Sequence, residues 1–123
     1  MTHAGQFIFK SADGGVINLE DFRGKPVLVV NTASRCGFTG QLETLQKLSD
    51  SYQEEGLTVL AVPSNDFNQE LATIEAVTEF CSVNYNLTLP MTEITSVRGK
   101  NAHPFFKWVK ETTGFSPKWN FNK

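Results

Sequence analysis

The spacing of apolar and polar positions changes several times along the chain. Residues 6–10 and 16–19 form two short runs around Ala12, Asp13, Gly14 and Gly15. An Asp-Gly turn between extended runs predicts a hairpin. Lys25 and Pro26 then open the unbroken run Val27, Leu28, Val29, Val30 and Asn31, which predicts a strand buried on both faces. From Leu42 the period lengthens. Leu42, Leu45, Leu48 and Tyr52 recur at three- and four-residue steps, with Glu43, Lys47, Asp50 and Glu54 between them. That pattern predicts an amphipathic helix closed by Gly56. Residues 57–62 predict a second buried strand, ended by Pro63. Ile74, Val77, Phe80 and Cys81 mark a second helix capped by Thr73. Residues 87–91 are short and extended. A third helix runs from Pro104, a good first-turn residue, through Phe105, Phe106 and Val109 to Gly114.

Strand, helix and strand with short joins make a βαβ unit, which requires a parallel pair and a right-handed crossover. No internal repeat, low-complexity tract or linker interrupts the pattern. The expectation is one α/β domain over residues 1–123. With 40% hydrophobic and 20% charged residues, the chain reads as an ordinary soluble globular protein. Its net charge is −2 and it has no block of Lys or Arg, which argues against nucleic acid or an anionic membrane as partner. The start, Met1 to Gln6, lacks the basic and apolar regions of a signal peptide. The apolar run 26–30 is far too short to span a bilayer. A cytoplasmic location is therefore expected, where the two cysteines serve chemistry better than they serve as a structural staple.

Cys36 stands where the first buried strand ends and the first helix is about to begin. Active sites of open α/β sheets gather at the carboxyl ends of strands. A cysteine there meets the positive end of the helix dipole and free amide N–H groups, which favour the reactive thiolate. Arg35 adds positive charge if its side chain turns inward. The competing reading is a buried structural cysteine. Thr39 occupies the place of the second cysteine in Cys-x-x-Cys, against a general thiol–disulfide oxidoreductase. A metal site built from Cys36, Cys81, His3 and His103 has no recognised ligand spacing. His103, beside Pro104, reads instead as a cap or packing residue at a helix start. Taken alone, Gln69 and Asn120 read as surface polar residues and Trp119 as core.

Residues 29–39 (Val-Val-Asn-Thr-Ala-Ser-Arg-Cys-Gly-Phe-Thr) resemble the active-site signature of the glutathione peroxidase family. The likeness continues through residues 56–67, Phe80-Cys81, Asn84-Tyr85, Ala102-His103-Pro104 and Lys118-Trp119-Asn120-Phe121. The resemblance implies an α/β, thioredoxin-like fold with an N-terminal hairpin and a central mixed sheet flanked by helices. It implies a peroxidase that reduces hydrogen peroxide and organic hydroperoxides without a cofactor or metal. Cys36 would be its peroxidatic residue, surrounded by Gln69, Trp119 and Asn120. Indole and amide N–H groups suit that place, because they can stabilise a thiolate and a departing oxygen anion.

Cys81, by its spacing alone, is a small buried hydrophobe on the apolar side of the second helix. The resemblance gives it another role, the resolving cysteine of the thioredoxin-dependent branch. It would attack a sulfenic acid on Cys36 to form a disulfide that thioredoxin, or else glutathione, reduces. Since a disulfide requires Cα atoms within about 7 Å, Cys81 is expected to move with a locally unstable segment. A peroxide-sensing thiol protein, or a fragment without turnover, is the alternative. Residues 66–70 run one residue shorter than the usual family loop, so the Gln69 assignment can shift by a position. The short segment 111–117 favours a monomer or weak dimer. Family members continue beyond the position of Lys123 with further strands and a helix. The C-terminal part is accordingly expected to be missing here, an edge of the sheet to lie uncovered and Trp119 and Asn120 to fray.

Overall fold

The computed structural model describes residues 4–123; residues 1–3, and with them His3, lie outside the described residues. The Asp13-Gly14 turn closes the expected hairpin. Ile8–Lys10 (β1) pairs antiparallel with Val16–Asn18 (β2), placing Phe9 opposite Ile17. Asp13 Oδ1 accepts the Gly15 N–H at 3.0 Å, which fixes the turn locally.

Val27–Thr32 (β3) and Thr58–Pro63 (β4) form the parallel pair, in register from Val27 opposite Thr58 to Thr32 opposite Pro63. Gln41–Tyr52 (α1) connects them. Its end tightens into a 3-10 turn, Gln53–Glu55, and stops at Gly56 with φ +100°, a conformation that glycine adopts without Cβ strain. Leu42 and Leu45 are buried as the periodicity requires, but Tyr52 is exposed. Its φ of −121° has already left helical geometry, which turns the side chain off the apolar stripe. Ile74–Tyr85 (α2) starts with Thr73 Oγ1 accepting the Ala76 N–H, and Pro104–Thr113 (α3) starts with His103 Nδ1 accepting the Phe105 N–H. His103 Nε2 lies 2.8 Å from the Ile8 carbonyl and the ring stacks on Phe9. It is a cap and a packing residue.

Residues 91 and 92 join the two sheets. Met91 bridges Ala61 in parallel and Thr92 bridges Ser11 in antiparallel fashion, which makes the whole arrangement mixed. Alternate residues of β4 face two separate cores. Val59 and Ala61 pack with Leu42, Leu45, Val77 and Cys81 from α1 and α2. Leu60 and Val62 pack with Phe9, Phe105 and Phe106 from β1 and α3. A parallel strand buried on both faces needs this double cover, and it explains the continuous apolar runs. At the carboxyl ends of β3 and β4 the burial changes character. Asn31, Thr32, Ser34, Thr39, Ser64, Glu70 and Asn120 are polar and nearly inaccessible there. Buried polar groups need partners, and the partners they find build the site.

Candidate active site

After β3 the chain enters a turn laced by one side chain. Thr39 Oγ1 accepts the Cys36 N–H at 3.1 Å and donates to the Ala33 carbonyl at 2.9 Å. The Thr39 N–H closes the ring onto the Cys36 carbonyl at 3.0 Å. Thr39 therefore fills structurally the place at which a second cysteine would give a different chemistry. Cys36 is 8% exposed, and its Sγ accepts the Phe38 N–H at 3.4 Å. Successive three-residue bonds, from Gln41 to Phe38, Leu42 to Thr39 and Glu43 to Gly40, carry the turn into α1. Arg35 is exposed rather than turned inward. Its main chain contributes instead, donating to the Gln69 carbonyl at 2.8 Å.

That bond brings the loop after β4 against the cysteine turn, and Gln69 in turn meets the C-terminal segment. Asn120 Nδ2 donates to Gln69 Oε1 at 2.9 Å. With its oxygen engaged, the Gln69 amide is fixed in orientation and keeps its N–H groups for another acceptor. Asn120 is 4% exposed, and its Oδ1 is buried without a hydrogen-bond partner. Trp119 is 41% exposed, with its ring 5.3 Å from that of Phe67, over which Arg98 lies at 5.4 Å. The reading from isolated residue types is thus reversed: the tryptophan is at the surface and the asparagine is inside.

The C-terminal segment is pinned where fraying was expected. Asn31 at the end of β3 holds it on three sides. Its Nδ2 donates to the Trp119 carbonyl at 2.8 Å, its carbonyl accepts the Phe121 N–H at 2.6 Å, and its N–H donates to the Asn122 carbonyl at 3.3 Å. Phe121 has φ +62°, which costs a bulky residue about 1–2 kcal/mol. Its side chain is buried in the core that also holds Cys36 and Cys81, and that contact offsets the strain. Asn31, Thr39 and Glu70 escaped the reading by residue type. Asn31 and Thr39 lie within the signature over residues 29–39, and Asn31 is a polar residue closing an apolar strand; Glu70 carried no such signal.

Cys81 is 5% exposed, faces the same core as Cys36, and both thiols are free. Burial first, and the negative charge of Glu70 second, push the Cys81 thiol up from 9.0 to about 11. Cys81 stands near the end of α2, where Asn86 with φ +52° lets its own N–H and that of Leu87 fold back on the Ser82 and Cys81 carbonyls. Glu70 is 7% exposed; its Oε1 accepts the Ser34 N–H at 3.0 Å and the Leu71 N–H at 2.8 Å. Among the described residues, no group of three or more His, Cys, Asp or Glu is placed to hold a metal ion. No helix of the described residues is long and apolar enough to cross a membrane.

The glutathione peroxidase family model matches residues 5–110. This chain belongs to the glutathione peroxidase family. The glutathione peroxidase homolog BsaA of Bacillus subtilis is 46% identical over 120 residues, covering 93% of this chain and 75% of that protein. A glutathione peroxidase-like peroxiredoxin of Schizosaccharomyces pombe is 40% identical over 128 residues, covering the whole of this chain and 81% of its own. The crystal structure of T. cruzi GPX1 superposes with a TM-score of 0.72 at 32% identity, covering 94% of this chain and 73% of that one. The glutathione peroxidase chain described here therefore has the thioredoxin-like fold that its motifs imply, and it is a peroxidase-type oxidoreductase.

Proposed function

We propose that this glutathione peroxidase reduces hydrogen peroxide and organic hydroperoxides with Cys36 as nucleophile, and that Cys81 resolves the oxidised enzyme for reduction by thioredoxin. The observation that carries the reading is the Asn120–Gln69 hydrogen bond beside the Cys36 turn, at the carboxyl end of a buried parallel pair. It orients an amide whose N–H groups remain available, next to a buried cysteine whose sulfur already accepts a main-chain N–H.

In the first step the Cys36 thiolate attacks the terminal peroxide oxygen. The S–O bond forms and the O–O bond breaks. The organic oxygen leaves as alkoxide and takes a proton to become an alcohol; with hydrogen peroxide the product is water. The Gln69 amide, the second Asn120 N–H and the Trp119 indole N–H are the donors of the right type to hold the peroxide and the developing oxygen anion, as preorganised donors do in other sites. Trp119, exposed and tilted at 54° to the Phe67 ring beside it, forms an apolar wall for a substrate larger than hydrogen peroxide.

In the second step Cys81 attacks the Cys36 sulfenic sulfur and water leaves. Both cysteines lie in one apolar cluster, which supports their meeting. The sealed end of α2 holds Cys81 in place, so the last turns of that helix must open first. Thioredoxin then reduces the disulfide by exchange. The test combines two variants with two reductants. Cys36→Ser is expected to abolish peroxide consumption with the far-UV spectrum unchanged. Cys81→Ser is expected to reduce one equivalent of peroxide and then stall with thioredoxin. Turnover by Cys36→Ser would end the reading; full thioredoxin-dependent turnover by Cys81→Ser would return Cys81 to a packing role.

A further inference from the structure

Neither step above uses Arg98, yet its main chain is fixed at the edge of the site. Asp66 Oδ2 accepts the Val97 N–H at 2.7 Å, the Arg98 N–H at 3.1 Å and the Ser96 hydroxyl at 3.1 Å. Asp66 stands in the same loop after β4 as Gln69, so its carboxylate ties residues 96–98 to the segment that bears the amide donor. Between them lies the Phe67 ring. The Arg98 guanidinium carbon is 5.4 Å from its centroid, inside the reach of about 6 Å for a cation over a ring. The Trp119 ring follows at 5.3 Å from Phe67, and the next residue, Asn120, bonds to Gln69. A cation, two rings and the amide donors thus make one continuous edge.

The charge on that edge is not cancelled. Among the described residues the ion pairs are Arg23–Glu20 and Lys47–Glu43; Arg98 is exposed and has none. The Asp66 oxygen that could have paired with it is spent on the main chain and Ser96. The Phe67 ring engages the charge but offers no lone pair to the five N–H donors, whose planar fork fits a carboxylate. Lys118, beside Trp119 in the chain, and Lys100, on the Arg98 segment, are also exposed and without an ion pair among the described residues. Positive charge therefore gathers beside Trp119 in a chain whose net charge is −2.

We propose that Arg98 is a specificity-determining residue, selecting hydroperoxides that carry a carboxylate at the far end of an apolar body. The inference rests on the proposed reduction of organic hydroperoxides at Cys36. The peroxide group meets the thiolate and the amide donors, the apolar body lies along Trp119 and Phe67, and the carboxylate meets the guanidinium fork. Arg98 touches no reacting atom. Its effect is on capture of the substrate, and a neutral hydroperoxide gains nothing from it.

The test compares linoleic acid hydroperoxide with its methyl ester, which share the reacting group and the chain and differ in charge. Both are used below the concentrations at which they aggregate, and Cys36 oxidation is followed by stopped flow before any reductant is added. At limiting substrate, wild type should react roughly two- to fivefold faster with the acid, the range of an exposed ion pair. Added NaCl should shrink the advantage by screening. Arg98→Met keeps an unbranched apolar stem over Phe67 and should bring the acid-to-ester ratio to about one. Arg98→Glu should bring it below one, by repulsion. A merely structural role would move both substrates together. Equal rates for acid and ester in wild type, or an unchanged ratio in Arg98→Met, overturn the inference. A defect of Arg98→Met confined to the later reduction by thioredoxin also overturns it and assigns the cation to the reductant. A second measurement needs no turnover: tryptophan fluorescence of Cys36→Ser protein is titrated with linoleic acid and with its methyl ester. Tighter binding of the acid, lost on adding Arg98→Met, supports the inference even if Cys36 proves not to be the nucleophile. Equal binding of the two overturns it, whatever Cys36 does.

Discussion

The Cys81 thiol should make the fold less stable as pH rises, by an amount set by its burial. In the folded protein it ionises at about 11, against an ordinary value of 9.0. Between these values the unfolded chain has lost the proton and the folded chain still holds it. The unfolded state therefore binds fewer protons, and stability falls with pH across that window. Below pH 9 the contribution is fully present; above 11 it is gone. A difference of about two pH units corresponds to about 2.7 kcal/mol, of which about half, 1.4 kcal/mol, is lost by pH 10. Cys81→Ala removes this titration and leaves the rest of the chain common to both proteins. Urea unfolding with a phosphine reductant would compare the pair at pH 8 and pH 10. Wild type should lose about 1.4 kcal/mol relative to Cys81→Ala between the two. An unchanged difference would refute the reasoning, since it would mean that the thiol ionises as easily inside the core as in water. The same barrier bears on function. On the proposed resolving role, a sulfur so reluctant to ionise in place would become a nucleophile by leaving the core, and opening of α2 would then be part of the chemistry.

The cap of α3 should respond to pH in the opposite sense. His103 is held below its ordinary pKa chiefly by burial, against the Ile8 carbonyl, and its Nδ1 accepts the Phe105 N–H only when unprotonated. Its stabilisation is present above the ordinary histidine value of 6.5 and lost as pH falls through the lower folded one. Thermal melts from pH 7.5 to 5 should show wild type losing up to about 1 kcal/mol, typical of a cap; a parallel decline in His103→Asn would contradict this. Thr39→Val keeps the shape of the cysteine turn but strips the partner from the Cys36 N–H and the Ala33 carbonyl. Leaving those groups unpaired should cost about 1–3 kcal/mol in urea unfolding and slow peroxide reduction; a Thr39→Val enzyme of unchanged rate would show that the lacing is dispensable.

The fate of particular residues shows what is local in this fold and what is not. The hairpin turn at Asp13-Gly14, the stop at Gly56, the Thr73 cap and the Pro104 start were all legible in the chain, because each depends on hydrogen bonds or dihedral angles within a few residues. So were β3 and β4. A run apolar at every position leaves no polar face to expose, and β4 is buried between two layers, α1 with α2 on one side and β1 with α3 on the other, while Val27 to Val29 of β3 stay half-buried. The placement of Cys36 after a buried strand followed from the same pattern.

Burial of the polar groups around Cys36 was decided only in three dimensions. Asn120 reaches Gln69 across 51 positions, Asn31 reaches Trp119 across 88, and Ser34 reaches Glu70 across 36. Residue type alone places Asn120 outside and Trp119 inside, because an unpaired amide is costly to bury and an indole is not. The structure reverses both by supplying a distant partner for the amide and an exposed aromatic neighbour for the indole. Periodicity assigns a side chain to a face of its own element. It carries no information about which donor or acceptor the fold will bring to that face from elsewhere, and for a polar side chain that partner determines whether burial is stable.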